Sequence, residues 1–291
     1  MVSVIVPTYN RAKYIKRAMD SVLDQTRPPD ELIIVDDGST DNTSEVIEQT
    51  IGRAAFPVRV LRRKNRGAAA ARNVGIAHAA GDTLCFLDSD DWWDKRKIEL
   101  QLEAMHENPD SIISHTREIW FRNGVRVNQK KKHAPSSGHI FADSLRMCVV
   151  GMSTVMVKKE LFTDYGLFNE ALPCCEDYDL WLRVAREQPF LLVDHALTLK
   201  EGGRDDQLSV IYRLGMDKYR IRSLCNVLES GVLTDNQYLQ TLSELERKCR
   251  IYGQGCIKHG RAEEGRQFLV LPDKYNHMDD TVLRGMEEPA P

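Results

Sequence analysis

Three short acidic stretches combine residue types and spacings that can do chemistry. Asp88 and Asp90, within Leu-Asp-Ser-Asp-Asp (87–91), follow an apolar run. In an extended segment residues two apart point the same way, so the two carboxylates converge on one spot. Paired hard oxygens of that kind suit Mg2+ or Mn2+, which also bind substrate phosphates. The same residues read equally well as a polar strand end leading into a helix capped by Asp91 or Asp94. Asp36-Asp37-Gly38-Ser39 ends another apolar run. A carboxylate there can accept hydrogen bonds from a ribose hydroxyl or a base N–H, and Gly38 permits a sharp turn. A capping turn through Ser39, Thr40 or Asp41 is the alternative, and two adjacent aspartates facing different ways allow both. Glu176-Asp177 stands just ahead of a helical pattern, where the positive helix end stabilises a carboxylate. It is either a general base beside an acceptor hydroxyl or simply a charged first turn.

Other chemistries lack their signatures. The eight histidines show no HExxH or paired zinc spacing. No GxSxG elbow, no GxxxxGK[ST] loop and, after the first strand, no GxGxxG occurs, which weighs against a dinucleotide-binding Rossmann domain. The seven cysteines are odd in number and scattered, unlike a secreted disulfide framework; only Cys174 and Cys175 are neighbours. Trp92 and Trp93 suit a wall or core, and Lys130–Lys132 an exposed basic loop.

The elements that must position these residues follow from the apolar pattern. Val/Ile-rich runs at 2–6 and 32–35, with others at 58–61 and 83–87, read as strands, the first two buried on both faces. Pro7 is expected to end the first. Helices are expected from an Asn10 cap onward (Tyr14, Ala18, Met19, Val22 and Leu23 on one face), from Ser44 to Thr50, and over the small residues Ala68–Ala80. This β-α-β-α-β-α-β order makes an open, mostly parallel sheet with right-handed crossovers. Ligands of such sheets lie beyond the carboxyl ends of the strands, where Thr8-Tyr9-Asn10, Asp36-Asp37 and Asp88-Ser89-Asp90 stand. Residues 111–200 mix short apolar runs with helical pieces, the clearest being Tyr178–Arg186, and His195 falls on a strand. Helices are expected at 207–229, 235–258 and 261–269, the 249–268 stretch resembling half of a helical-repeat hairpin, before a frayed tail ending at 287–291.

The chain has 291 residues, 42% hydrophobic and 29% charged, enough for one large domain or two modest ones and for a core needing no metal or disulfide staple. Forty Lys+Arg against 43 Asp+Glu give a net charge of −3, without the basic excess that nucleic-acid binding requires. No stretch approaches a membrane span, and no charged leader precedes the first apolar run, so a soluble cytoplasmic protein is expected.

Taken in order, Val-Pro-Thr-Tyr-Asn-Arg (6–11), Val-Asp-Asp-Gly-Ser-Thr-Asp (35–41), Asn65-Arg66-Gly67 with Ala71-Arg72-Asn73, Leu-Asp-Ser-Asp-Asp (87–91) and Glu-Asp-Tyr-Asp-Leu-Trp (176–181) make the chain resemble a family 2 inverting glycosyltransferase of GT-A fold. The resemblance implies a glycosyltransferase domain over 1–205 and a C-terminal helical region over 206–291. It implies that Pro7, Thr8 and Tyr9 line a nucleotide pocket, Tyr9 against the base, and that Asp37 holds the base or ribose with Arg72 bracing it. Asp88, with Ser89 beside it, would hold the ribose. Asp90 would bind Mn2+ or Mg2+ bridging the diphosphate of a nucleotide-sugar donor, UDP-linked by slight preference. Asp177 would be the catalytic base toward a glycan, lipid-linked glycan or peptide hydroxyl. Many relatives carry a metal- or diphosphate-binding histidine where this chain has Arg204; arginine stays protonated and cannot ligate a cation, but it can contact the diphosphate directly. The C-terminal helices would complete an acceptor site, form a homo-oligomer or touch a membrane surface.

Two rivals remain. A haloacid-dehalogenase-like phosphohydrolase also begins from Asp-x-Asp, but it needs Thr or Val where Trp92 stands and places the motif near the first strand. A non-catalytic nucleotide-sugar-binding scaffold is suggested by Arg204 and the helical extension, while Asp90 and Asp177 argue against it.

Overall fold

The computed structural model describes residues 1–130 and 133–276; Lys131 and Lys132 of the basic loop, and the tail from 277 onward, lie outside the described residues. The first seven elements arrive in the expected order: β1 (Val2–Thr8), α1 (Ile15–Leu23), β2 (Glu31–Asp36), α2 (Thr43–Ile51), β3 (Val58–Arg62), α3 (Ala68–His78) and β4 (Thr83–Phe86). Then follow β5 (Trp92–Trp93), α4 (Lys97–Glu107), β6 (Ile113–Arg122), β7 (Val125–Val127), α5 (Phe141–Arg146), β8 (Met156–Lys158), α6 (Leu161–Tyr165), α7 (Glu176–Ala185) and β9 (Leu191–Gly202). Helices α8 (Leu208–Ile211), α9 (Met216–Glu229), α10 (Asp235–Lys258) and α11 (Ala262–Val270) complete the described chain.

Among the described residues all nine strands join one sheet in the order β3-β2-β1-β4-β8-β6-β9-β5, with β7 hung on β6. β3, β2, β1, β4, β6 and β9 run one way; only β8, β5 and β7 run against them. The sheet is therefore mostly parallel, and its parallel strands end on the side that carries the acidic motifs.

Strand alternation splits the core into two layers. Ile5, Ile33, Val35, Leu84 and Phe86 lie on the side of α3, in an apolar cluster that runs on through α7 to Ile221 and Leu224 of α9 and Leu242 and Leu245 of α10. Val4, Val6, Leu32, Ile34, Cys85 and Leu87 face Ile15, Met19, Ile47 and Ile98 of α1, α2 and α4. The C-terminal helices thus join this core through α7 and α5. The small-residue character of α3 has a direct use: a Cβ on Gly75 would come within 2.4 Å of Ile5, so the helix lies close on β1. Thr234 and Gln237 form a reciprocal capping box that starts α10.

Several local expectations are corrected. Pro7 does not end β1, which runs on to Thr8 with Pro7 opposite Val35. Ile5 accepts from Leu87 on the β4 side and Thr8 accepts from Asp37 on the β2 side. Pro7 therefore faces β4, where the pairing stops at Ile5, and its missing N–H costs no ladder bond. Asn10 caps no helix: it is left-handed (φ 52°), its side-chain Oδ1 accepts from the Thr40 N–H at 2.8 Å, and α1 begins only at Ile15. Asp91 and Asp94 do not cap α4, whose N-cap is Arg96. The 207–229 stretch is broken before Met216 by Gly215 at φ 134°. Glu176 and Asp177 lie inside the first turn of α7 rather than ahead of it, with left-handed Cys175 (φ 63°) as N-cap. His195 does fall on a strand, β9. Among the described residues no helix is long and apolar enough to cross a membrane.

Candidate active site

The turn after β2 separates the two adjacent aspartates as their alternation requires. Asp36 takes the structural role, accepting from the Ser39 N–H at 2.9 Å and the Ser44 hydroxyl at 3.1 Å. Asp37 points the other way, and its Oδ2 accepts from the backbone N–H groups of Arg66 (3.0 Å) and Gly67 (2.7 Å). Gly38 is fixed as glycine twice over, by φ 85° and by the Asn65 nitrogen and Arg63 carbonyl about where a Cβ would reach, at 3.0 and 3.1 Å. The cation beside Asp37 is Arg63, 3.1 Å from Oδ1, and not Arg72 as the resemblance implied. Burial nevertheless pushes the Asp37 carboxyl above its ordinary range.

Arg72 instead reaches across from α3 to two other carboxylates. It donates to Asp88 Oδ1 at 2.7 Å and to Glu176 Oε1, joining the end of β4 to the first turn of α7. The guanidinium is buried and its proton is held more tightly than usual, because Asp88 and Glu176 outweigh the burial that would loosen it. Burial acts oppositely on the partners: it would raise Asp88, but Arg72 and Lys200 hold that carboxyl below its usual range, whereas Glu176 stays raised. Asp177, next to Glu176, is half-buried and keeps one oxygen on the Tyr178 N–H at 2.7 Å.

Asp90 is partly open, its side chain 17% exposed, and is ringed by arginines. Arg204 pairs with it directly and Arg11 lies 4.0 Å away, while Arg17 donates to its backbone carbonyl at 2.9 Å. Arg204 also stacks 4.4 Å over Tyr14 and pairs with Asp206 at 3.1 Å. Burial first, and then the neighbouring Asp88, push the Asp90 carboxyl up against the pull of Arg204 and Arg11. Asp91 is buried away from this opening and accepts from the Ser153 hydroxyl at 2.6 Å.

Among the described residues six buried side-chain polar atoms lack a hydrogen-bond partner, and three of them, Thr8 Oγ1, Asp37 Oδ1 and Arg72 Nε, belong to residues expected to bind nucleotide. Pro7 and Ser89 are buried in their strand and turn, and Tyr9 is 43% exposed at the rim. Sequence reading missed Arg63 and Lys200. Lys200 of β9 sits 3.5 Å from Glu118, and the charges of Glu118, Asp91, Asp88 and Asp177 hold its proton more tightly than usual despite burial. Its place within electrostatic reach of the Asp88–Asp91 turn and Asp177 comes with the pairing of β9 to β6, for which no local signal existed. Arg11 stood within a recognised motif but without a role.

An open, mostly parallel sheet with carboxylates gathered at its strand ends, bridged to a helix bearing a further acidic pair, defines the GT-A class of nucleotide-sugar folds. The chain matches the model of glycosyl transferase family 2 over residues 3–166 and belongs to that family. It is 40% identical over 187 residues to the putative teichuronic acid biosynthesis glycosyltransferase TuaG of Bacillus subtilis, spanning 64% of this chain and 73% of that one. It is also 40% identical over 203 residues to an uncharacterized glycosyltransferase of Rickettsia felis, spanning 68% of this chain but only 32%, about a third, of the relative. S. aureus TarS (residues 1–349) in complex with UDP-GlcNAc shares the fold at TM-score 0.71 and 20% identity, over 93% of this chain and 79% of that one. The mannosyltransferase PcManGT of Pyrobaculum calidifontis, in complex with GDP-Man and Mn2+, does so at TM-score 0.62 and 15% identity, over 96% and 87%.

Proposed function

We propose that this chain transfers a sugar from a nucleotide-diphosphate sugar, UDP-linked in preference, to an acceptor hydroxyl with inversion at the anomeric carbon, in polysaccharide or glycoconjugate biosynthesis. The observation that carries this reading is the buried Asp88–Arg72–Glu176 bridge, which fixes the helix bearing Asp177 against the donor-side carboxylates. Thr8 Oγ1 is buried without a hydrogen-bond partner and Asp37 Oδ1 is held only by the Arg63 ion pair, so both oxygens can take up a donor hydroxyl or base N–H, and exposed Tyr9 offers its ring to the base. Asp177 accepts the proton of the attacking hydroxyl as the new glycosidic bond forms, and the bond to the diphosphate oxygen breaks on the opposite face. Arg204 and Arg11 are placed to meet the negative charge that the departing diphosphate acquires.

The donor set also fits a divalent cation. Asp90 is a hard, partly exposed carboxylate near that of Asp88, and among the described residues no cluster of three ligating side chains exists. That is the arrangement of a site completed by substrate phosphates rather than by a protein cage. Mn2+ or Mg2+ held by Asp90 would supply Lewis-acid neutralisation of the diphosphate. The neighbours' UDP-GlcNAc, GDP-Man and Mn2+ support the donor class and the ion. A non-catalytic nucleotide-sugar-binding role is favoured only by the Arg204–Asp90 pair, which occupies the metal carboxylate.

Slow donor hydrolysis separates the two. Incubated in water with UDP-glucose, UDP-N-acetylglucosamine or GDP-mannose and Mn2+, the enzyme is expected to release nucleoside diphosphate from one of these α-linked donors. Proton NMR should show the β-sugar as first product. Release of the α-sugar would contradict inversion, and no release from any donor would favour the scaffold.

A further inference from the structure

Beyond β4 and β9's first half, β6 and β9 continue side by side as a ledge, with β7 along one edge and β5 along the other. Alternation divides it into two faces. Ile119, Phe121 and Leu199 share one face with Trp92, where Arg17 stacks on the Trp92 ring at 3.7 Å and Phe121 lies 5.2 Å from it. Glu118, Trp120, Arg122 and Lys200 share the other, with Trp120 directly opposite Lys200. The second face is linked to the catalytic centre: the Trp120 Nε1–H donates to Glu118 at 2.6 Å, Glu118 pairs with Lys200, and the Lys200 charge acts on Asp88, Asp91 and Asp177.

The outer end of the second face is basic. Trp120 is half-buried, its ring 5.0 Å from that of His133. Lys130 is exposed, and its backbone carbonyl accepts at 2.8 Å from the N–H of His133, the residue whose ring meets Trp120. Arg122 is exposed and lies over Gly203, where an added Cβ would come within 2.6 Å of its side chain, next to Arg204. Between Ser111 and Ala142 the sole acidic residue is Glu118, already held by Trp120 and Lys200. Neither Arg122 nor Lys130 forms an ion pair with a described residue, in a chain whose net charge is −3. Arg126 alternates to the opposite face and is not included.

We propose that this face of the ledge is the acceptor subsite and that it takes an anionic saccharide. The C–H face of a pyranose ring lies on Trp120, and a carboxylate or phosphate on the sugar meets Arg122 and Lys130. A sugar ring suits the place because an indole offers a flat apolar face with a polar rim, and Lys200, opposite Trp120, lies within electrostatic reach of Asp177. The proposal rests on the donor-site reading above and adds the acceptor's chemistry to it.

Saturation-transfer NMR on the UDP-bound protein tests it with methyl glucoside, methyl glucuronide and glucose 6-phosphate as probes. At least one anionic sugar should bind roughly two- to ten-fold more tightly than the glucoside, the scale of one or two exposed charge contacts. Preference for the glucuronide alone or the phosphate alone identifies the source of the anion. Trp120→Ala should abolish saturation of the ring protons, with partial retention in Trp120→Phe. Arg122→Ala combined with Lys130→Ala should bring the anionic sugars down to the glucoside. Equal binding of all three sugars, saturation that survives Trp120→Ala, or no sugar binding would overturn the proposal. So would binding of phosphatidylglycerol vesicles that needs Lys130 but not Trp120, with no sugar response. Thermal stabilisation by UDP in the same samples reports the donor site separately, so its failure in the wild type is distinguishable from failure here.

Discussion

Asp177→Asn is expected to lower turnover roughly 100- to 10,000-fold while leaving nucleotide binding nearly unchanged. The substitution is nearly isosteric, and the asparagine carbonyl can still accept the Tyr178 N–H that Asp177 Oδ1 now accepts at 2.7 Å. Helix α7 therefore keeps its first turn, and what disappears is the capacity to take a proton. At about 1.4 kcal/mol per tenfold, the loss corresponds to about 3–5 kcal/mol of transition-state stabilisation. Parallel measurement of kcat and of nucleotide affinity separates this from structural damage. Affinity falling as steeply as kcat would assign Asp177 to the donor site instead, and an unchanged kcat would remove it from the chemistry.

The second large effect is structural. Arg72→Met should destabilise the protein by about 3–5 kcal/mol, because two carboxylates lose the cation that neutralises them inside the protein. Glu176 has a side chain 7% exposed and cannot recover its hydration, whereas Asp88, at 30%, recovers part of its own. Burial already raises the Glu176 carboxyl, so without Arg72 it would fold protonated and shift its proton uptake to still higher pH. The cost should accordingly shrink as pH falls toward the range where Glu176 takes up that proton, and Glu176→Gln on the Arg72→Met background should restore part of it. Denaturant unfolding of the three variants checks the arithmetic. A loss under 1 kcal/mol for Arg72→Met would mean that the bridge does not fasten α7 to β4.

The sheet and the acidic ends of its strands were legible because buried parallel strands leave continuous Val/Ile runs that stop where polar residues begin, as at Val35–Asp36 and Leu87–Asp88. Their convergence was legible for the same reason, since topology puts those ends on one side. Pro7 was misread because its meaning depends on which neighbour its N–H would face, and that is fixed by register with β4 rather than by the local sequence. Arg72 was assigned to the wrong carboxylate because a helix face shows which residues point inward without showing what they meet; Asp88 and Glu176 are 16 and 104 residues away in the chain. The β6–β9 ledge gave little signal: its outer halves, Glu118–Arg122 and Thr198–Gly202, mix polar and aromatic residues on both half-exposed faces. Lys200 and Trp120 consequently became visible only through the cross-strand pairing.

The central claim is that the cleft holds a nucleotide diphosphate through Asp90 and a divalent cation. Its most direct test is thermal stabilisation by UDP, GDP, CDP and dTDP, each with and without Mn2+, on wild type and Asp90→Ala. A ligand at 100 times its Kd adds about 2.7 kcal/mol, enough to move the melt by several degrees. One nucleotide, UDP by preference, should stabilise the wild type in the presence of Mn2+ and lose that Mn2+-dependent gain in Asp90→Ala. Absence of stabilisation by every nucleotide, or a gain that Asp90→Ala leaves intact, would contradict the claim.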